Sequence, residues 1–314
     1  MAITFICPDK DTTPWIQALK ELDPTLEIRV WPQDHPREEV ELALTWNHPK
    51  GVLQEYPSLG CICSMGAGID HLLTDPLLPD PDLPGNPVIV RLVDQKLVRD
   101  MSEYLLLAVL HHFRQFDFYQ AKKIEKDWQP LLPLEKEEMV IGIMGLGQLG
   151  EAAAKKLQKA GFSVCGWRNS PRKIDTIPSF HGQDQLDSFL SRTHILICLL
   201  PLTRQTRQIL NQDTFSKLPQ GAYLINVGRG GHLKENDLLT ALDRVHLSGA
   251  CLDVFQTEPL PGDHPFWQHP KIMVTPHISS QTNPLSVAPQ ILSNLNRLRN
   301  KKSLLNQVDI KKEY

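Results

Sequence analysis

The chain has 314 residues, of which 41% are hydrophobic and 22% are charged, values usual for a globular protein. This length favours two domains of ordinary size over one large domain. The formal charge of −3 leaves no basic excess to neutralise phosphates, so we expect no nucleic-acid partner.

The sequence gives no sign of a membrane, secretory or metal-binding protein. No apolar run approaches the roughly 20 residues that span a bilayer, and the N-terminal stretch MAITFICPDKDTTPW lacks the basic start of a signal peptide. The six cysteines form no C-x-x-C pair, and we interpret them as buried reduced thiols. The twelve histidines show no metal-ligand spacing. We therefore expect a cytoplasmic protein without a metal.

The first hundred residues alternate strand and helix candidates, which predicts a parallel sheet with covered faces. The predicted strands are AITFIC, LEIRVW, LGCICSMG and, after a proline-rich connection at DPLLPDPDLPGNP, VIVRLV. DTTPWIQALKEL is predicted to be a helix capped by Asp11 or Thr12. One long helix is then predicted over MSEYLLLAVLHHFRQFDFYQAKK; because it is apolar around much of its circumference, we expect burial between domains or against another subunit.

From Met139 onward the alternation becomes regular and predicts a doubly wound parallel sheet, whose ligand binds at the carboxyl ends of the strands. The predicted strands are MVIGIMG, SVCGW, HILICLLP, AYLINVG, LSGACLDVF and IMVTPH. The predicted helices between them are QLGEAAAKKLQKA, DQLDSFLSR, TFSKLP and KENDLLTALDR.

The motif GLGQLG lies between the first of these strands and the first of these helices. Gly145 allows a tight turn, Gly147 lets the backbone approach a pyrophosphate, and Gly150 permits close packing of helix on strand. The amides of Gln148 and Leu149 would face the phosphates from the helix N-terminus. A glycine-rich turn that binds nothing is the alternative. The strand before, the helix after and the second strand at the expected distance favour a dinucleotide site.

Seventeen residues separate Gly150 from Arg168, which therefore occupies the place where an NAD-binding protein usually has an acid. An arginine there is suited to the 2′-phosphate of NADPH, through charge-assisted hydrogen bonds. Further donors would come from Asn169, Ser170 and Arg172. We therefore predict NADPH over NADH; a solvated basic turn is the alternative.

Three downstream stretches, LINVGRGG with Arg229, LDVFQTEPLP with Glu258 and TPHISS with His277, each lie at or just beyond the carboxyl end of a predicted strand. Arg229 can bind a carboxylate through its planar guanidinium, and His277 can donate a proton because the pKa of a histidine lies near neutrality. Glu258 would orient the imidazole. Taken singly, each residue has an ordinary structural explanation. His264 and His269 are rival bases in the loop before the last strand.

These motifs, with SMGAGIDHL, DWQPLLP, KLPQGAYLINVGRG and HPFWQHPKIMVTPH, resemble the D-isomer-specific 2-hydroxyacid dehydrogenase family over essentially the whole chain. The likeness is strongest to a subgroup that reduces glyoxylate and hydroxypyruvate. The resemblance implies an NAD(P)-dependent oxidoreductase that reduces glyoxylate to glycolate and hydroxypyruvate to glycerate, and it implies a homodimer.

The resemblance also implies roles for residues that spacing alone does not assign. Asp253 would lie near the nicotinamide carboxamide, and strand-end packing is its alternative. Leu200 and Pro201 match the segment that passes the adenosine ribose, and Val227 is grouped with the cofactor-binding residues. The loop SMGAGIDHL would receive the substrate carboxylate. In this loop Gly66 is expected to bind the carboxylate through its backbone amide. Met65 and Trp46 are expected to be pocket walls that favour a short substrate; the alternative for Trp46 is a place in the ordinary core.

For the domains, we predict that residues 1–101 and 281–314 form a flavodoxin-like substrate domain. Residues 102–280 would be an inserted NADP-binding Rossmann domain, and the two chain crossings would act as a hinge. Two other functions remain open: a non-catalytic dinucleotide sensor, and a dehydrogenase of the same fold for another small acid.

Overall fold

The computed structural model describes residues 2–75, 78, 87–172 and 174–313. The proline-rich connection predicted at residues 75–87 lies almost wholly outside them. The chain divides into two compact units, Met1–Leu97 with Gln281–Tyr314, and Val98–Ser280. The second unit is thus an insertion in the first, and it begins at Val98, whereas the sequence analysis placed that boundary after residue 101.

The first unit contains a parallel sheet with strand order β2-β1-β3-β4-β5. Its strands are β1 (Ala2–Ile6), β2 (Glu27–Val30), β3 (Val40–Thr45), β4 (Cys61–Ser64) and β5 (Val88–Arg91). Helix α1 (Thr13–Leu22) packs against the C-terminal helix α8 (Pro284–Arg299). The order reverses between β1 and β3, so the loops after these two strands meet at the edge where such sheets bind ligands.

The second unit contains a parallel sheet with strand order β12-β11-β10-β9-β6-β7-β8. Its strands are β6 (Val140–Met144), β7 (Ser163–Arg168), β8 (Ser179–His181), β9 (Ile195–Cys198), β10 (Ala222–Asn226), β11 (Leu247–Leu252) and β12 (Ile272–Val274). The helices between them are α4 (Gln148–Lys159), α5 (Leu186–Leu190), α6 (Gln212–Lys217) and α7 (Glu235–Asp243). The order reverses between β6 and β9, where the glycine motif and Leu200 leave the sheet.

The α/β class with two parallel sheets, predicted from the sequence, is confirmed. Strands β9 and β10 are buried along their whole length, because helices cover both faces of the sheet. This explains why HILICLLP and AYLINVG read as unbroken apolar runs. The sequence analysis missed β3, whose segment VELALT follows a proline-containing turn, and the three-residue β8.

The single long helix predicted from Met101 is wrong. The structure has two helices, α2 (Gln95–Phe113) and α3 (Phe116–Glu125), separated at Gln115, whose backbone φ of 57° is left-handed. A left-handed residue cannot continue a right-handed helix, and neither glycine nor proline marks the break.

The buried face of α2 also differs from expectation. Leu105, Val109 and Phe113 pack against the sheet in the core of the second unit itself, so their burial does not require another domain or subunit. Leu107, on the opposite face, is 59% exposed. Among the helices that the structure describes, none is both long and apolar enough to cross a membrane.

Candidate active site

The glycine motif forms the turn from β6 into α4. Gly145 has a φ of +105°, which a side chain would strain, and a Cβ on Gly150 would collide with the Gly145 carbonyl oxygen. A Cβ on Gly147 would meet no atom within 4 Å. Gly147 and Gln148 are exposed and Leu149 is half-buried. The turn is therefore tight where it packs and open where a phosphate would approach.

Arg168 is the last residue of β7, and its guanidinium has unused donors. Its Nε and Nη1 atoms are buried, and neither has a hydrogen-bond partner among the residues described. Buried cationic donors without acceptors are unfavourable, whereas a bound anion would satisfy them. The structure thus fits a phosphate at this position.

The other residues predicted to help Arg168 differ from it. Asn169 Nδ2 donates to Gln205 Oε1 at 3.0 Å, and Arg172 forms an ion pair with Glu151 at 2.8 Å. Ser170 is exposed at the turn. Arg168 therefore differs from Asn169, Ser170 and Arg172 in having buried donors, Nε and Nη1, that lack an acceptor among the residues described.

Leu200 and Val227 follow neighbouring strands, β9 and β10, and both are buried. The carbonyl oxygen of Pro201 accepts hydrogen bonds from Thr206 Oγ1 at 2.6 Å and His232 Nε2 at 3.2 Å. The other ring nitrogen of His232 accepts the amide of Arg229 at 3.1 Å. His232, which the sequence analysis did not single out, therefore links the Pro201 segment to the Arg229 loop.

Arg229 lies in the loop after β10 and is half-buried. Its Nη1 donates to the Gly228 carbonyl at 2.7 Å, and Asn226 Nδ2 donates to the Arg229 carbonyl at 3.1 Å. A Cβ on Gly230 would overlap the backbone of Phe255, so this glycine lets the Arg229 loop lie directly against the loop after β11. The sequence analysis gave Gly230 no role, although the pair Gly-Gly after Arg229 was visible.

His277 and Glu258 come from different loops and meet at the carboxyl edge of the second sheet. His277 Nδ1 lies 2.8 Å from Glu258 Oε2, and Glu258 Oε1 accepts the amide of Phe255 at 3.0 Å. Both side chains are a little over one third exposed. The pair therefore fixes the imidazole through Nδ1 and leaves Nε2 for another partner.

The electrostatics of Glu258 favour its ionised form. Burial of the carboxyl raises its pKa, but the hydrogen bonds from His277 and Phe255 and the positive charges of His277 and Arg229 lower it by more. The pKa of Glu258 therefore lies below its ordinary value of 4.5. A carboxylate that stays ionised can hold and orient a neighbouring imidazole.

Asp253, directly after β11, is fully buried, and its carboxylate accepts hydrogen bonds from the segment that follows β12. Oδ1 accepts Thr275 Oγ1 at 2.6 Å and the Ile278 amide at 2.9 Å. Oδ2 accepts the Ser279 amide at 2.8 Å. The structure thus surrounds Asp253 with donors from the segment that carries His277.

The two rival histidines, His264 and His269, each accept a hydrogen bond from a backbone amide two residues further along the chain. His264 Nδ1 accepts the amide of Phe266 at 3.3 Å, and His269 Nδ1 accepts the amide of Lys271 at 3.2 Å. His264 Nε2 lies 3.4 Å from Glu235. In the part of the chain that the structure describes, no group of three or more His, Cys, Asp or Glu side chains could hold a metal ion.

Of the predicted substrate residues of the first unit, Trp46 follows β3, at the reversal of the strand order, and Met65 and Gly66 follow the adjacent strand β4. A Cβ on Gly66 would come within 3.0 Å of the Trp46 ring, so the loop after β4 lies against this indole. Lys10 Nζ lies 4.4 Å from the ring centroid. Met65 is 1% exposed and belongs to the core, so its side chain lies beneath the loop rather than at its surface.

The comparisons with known proteins agree with this arrangement. Residues 106–279 match the family model described as "D-isomer specific 2-hydroxyacid dehydrogenase, NAD binding domain". The chain is 39% identical to the glyoxylate/hydroxypyruvate reductase A of Yersinia enterocolitica, and the alignment covers 100% of both chains.

The chain belongs to the D-isomer specific 2-hydroxyacid dehydrogenase family.

Solved structures of family members extend the likeness to the fold. A D-isomer specific 2-hydroxyacid dehydrogenase from Xanthobacter autotrophicus, in complex with NADPH and MES, has a TM-score of 0.94 at 35% identity, covering 100% of this chain and 99% of that one. The NADPH-dependent glyoxylate/hydroxypyruvate reductase of Sinorhizobium meliloti, in complex with NADP and sulfate, has a TM-score of 0.91 at 34% identity, with the same coverage. The predicted resemblance is confirmed, and the chain is an NAD(P)-dependent oxidoreductase.

Proposed function

We propose that this 2-hydroxyacid dehydrogenase uses NADPH to reduce glyoxylate to glycolate and hydroxypyruvate to glycerate. The observation that carries the proposal is the 2.8 Å contact between His277 Nδ1 and Glu258 Oε2, within the electrostatic reach of Arg229. A 2-oxo acid presents a carboxylate and a carbonyl, which require a fixed cation and a proton donor. The second unit supplies both.

In this proposal each residue has a distinct task. Arg229 binds the substrate carboxylate with its planar fork and polarises the carbonyl. His277 donates a proton from Nε2 to the carbonyl oxygen, while Glu258 holds Nδ1 and stabilises the imidazolium before transfer. When bound, NADPH would supply the hydride that forms the new C–H bond; the proton from His277 forms the O–H bond, and the C=O double bond becomes a C–O single bond.

The choice of NADPH is supported by Arg168 and by the relatives. The unpartnered Nε and Nη1 of Arg168 are suited to the 2′-phosphate, and the two structural relatives contain NADPH or NADP. The exposed turn at Gly147 and Gln148 would hold the pyrophosphate at the N-terminus of α4. Leu200, Pro201 and Val227 would line the remainder of the cofactor.

We assign a main ligand to each unit. The unit of Met1–Leu97 and Gln281–Tyr314 would bind the substrate, with the loop after β4 receiving its carboxylate and Trp46 limiting its length. Val98–Ser280 would bind the cofactor. The bulk of an indole at this position favours two- and three-carbon acids over phenylpyruvate.

A homodimer and a cytoplasmic location complete the proposal. Exposed apolar side chains lie on α3 and in the segment that follows it: Phe116, Tyr119, Ile124, Trp128 and Leu132. Trp128 is 97% exposed, and a second copy of the chain would remove such apolar side chains from water. The six cysteines are all free and buried, as suits a reducing compartment.

The decisive experiment measures oxidation of NADPH and of NADH with glyoxylate, hydroxypyruvate, pyruvate and phenylpyruvate. We expect fast turnover of NADPH with the first two acids and slow turnover with phenylpyruvate. Tight NADPH binding without turnover of any acid would instead favour the dinucleotide sensor. A higher kcat/KM for another acid would keep the enzyme but change its substrate.

A further inference from the structure

The segment that carries His277 is held on both sides by one residue. The Asp253 carboxylate accepts Thr275 Oγ1 from the segment before the histidine, and the amides of Ile278 and Ser279 after it. The Asp253 carbonyl accepts the amide of His277 itself at 2.9 Å. Asp253 therefore fixes the backbone that bears the proposed proton donor.

The backbone at His277 has an unfavourable conformation. His277 has a φ of 52°, in the left-handed region that residues other than glycine seldom adopt. Such a conformation costs free energy and persists only where the surroundings enforce it. The bonds from the flanking residues to Asp253 provide this enforcement.

A second residue extends the arrangement to helix α2. Tyr104 Oη lies 2.6 Å from Thr275 Oγ1, and Thr275 gives its hydroxyl proton to Asp253 at 2.6 Å. A threonine hydroxyl has one proton, so Tyr104 must be the donor to Thr275. Burial raises the pKa of Tyr104 well above its ordinary value, which keeps this donor protonated. Hydrogen bonds in such a chain polarise and strengthen one another.

We propose that Tyr104 and Thr275 are positioning residues, which act through Asp253 to hold His277 in the orientation required for proton transfer. This inference rests on the proposed function of His277. It also gives Asp253 a task in addition to the one that the family resemblance implied, since both of its carboxylate oxygens accept bonds from the His277 segment. Neither Tyr104 nor Thr275 was singled out by the sequence.

The activity test compares three variants of the full chain. Thr275→Val keeps the shape but removes the hydroxyl, and we expect kcat with glyoxylate to fall about 10- to 100-fold, because small misplacements of a catalytic group are this costly. The KM for glyoxylate and the Kd for NADPH should change less than about twofold. Tyr104→Phe should lower kcat less, and Thr275→Ser should restore it.

Thr214→Val is the matched control, since Thr214 Oγ1 also makes a 2.6 Å bond, to the Ile209 carbonyl, away from His277. We expect it to leave kcat unchanged. In the His277→Ala background, Thr275→Val should have no further effect on the residual kcat, because a positioning residue acts only through the group that it positions.

A second readout does not depend on turnover. In histidine-labelled protein, the imidazole resonances of His277, assigned by their loss in His277→Ala, should show the hydrogen bond from Nδ1 to Glu258. They should change in Thr275→Val and not in Thr214→Val. If the wild type turned over no acid while these changes occurred, the proposed function would fail and the positioning would stand.

Three results would overturn the inference. One is an unchanged kcat in Thr275→Val with a lowered melting temperature, which would make the hydroxyl purely structural. Another is an NADPH Kd that rises in step with the loss of kcat, which would move the effect to the cofactor. The third is an unchanged His277 spectrum in Thr275→Val.

Discussion

Two parts of the second unit, the His277–Glu258 pair and the Arg168 turn, differ in whether their polar atoms already have hydrogen-bond partners. The pair is assembled from the chain itself, because Nδ1 of His277 and both oxygens of Glu258 have partners. Arg168 ends a strand with Nε and Nη1 buried and unpartnered among the residues described. The groups proposed for chemistry are fixed in advance, whereas the group proposed for cofactor selection leaves its donors for the ligand. Substitutions should therefore separate turnover from cofactor choice.

His277→Ala should produce the largest effect. Removing a positioned general acid lowers kcat by about 100- to 10,000-fold, while the Kd for NADPH, measured by fluorescence titration, should stay the same. His269→Ala is the control, since this ring serves only its own loop. Wild-type turnover in His277→Ala, or an equal loss in His269→Ala, would remove His277 from the proton role.

Arg229→Ala should raise the KM for glyoxylate about a hundredfold, because roughly 3 kcal/mol of charge-assisted bonding to the carboxylate is lost. The Kd for NADPH should not change. Arg244→Ala removes an exposed arginine of the same unit and should leave both values as they are. Initial rates over a range of glyoxylate concentrations provide the measurement, and an unchanged KM in Arg229→Ala would contradict the carboxylate clamp.

Arg168→Asp should lower the ratio of kcat/KM for NADPH to that for NADH by about tenfold or more, since at least one charge-assisted bond is replaced by repulsion. The kcat at saturating cofactor should persist, because the His277–Glu258 pair is intact. Arg244→Asp makes the same change of charge at an exposed site. A wild type that uses both cofactors equally well would refute the assignment of Arg168 before any variant is made.

The smallest effect is expected for the stability of Glu258→Gln. The pKa of Glu258 is lowered on folding, so its ionised form stabilises the native state above pH 4.5, and this contribution is lost as the pH falls through the lower native value. Urea unfolding should show the variant to be less stable than the wild type at pH 7. The difference should shrink as the pH drops below 4.5, and a difference independent of pH would exclude this origin.

The sequence predicted the parts of the site whose signals are local. Gly145, Gly147 and Gly150 lie between a predicted strand and a predicted helix, and this context together with their spacing predicts a phosphate-binding turn. Arg229, Glu258 and His277 were visible because each lies at the end of a predicted strand, where parallel sheets gather their loops.

The rest could not be predicted, because the contacts are long-range or lack a residue signature. Tyr104 and Thr275 are separated by 171 positions, and a tyrosine within an apolar helix looks like ordinary core. Gln115, whose left-handed backbone separates α2 from α3, is neither glycine nor proline, so no signal in the sequence marks the break between the helices. The occupied donors of Asn169 and Arg172 depend on the folded positions of Gln205 and Glu151.

The hydrogen bonds around Asp253 have a consequence for the connections between the two units. The chain passes from one unit to the other after Leu97 and again after Ser280. Tyr104 lies shortly after the first passage and Ser279 immediately before the second, and both are tied, directly or through Thr275, to the same carboxylate. Asp253 is thus a common anchor for both connecting segments. An insertion in α2 before Tyr104, or Ser279→Pro, which removes the backbone amide that Asp253 accepts, should lower kcat even though neither alters a reacting group.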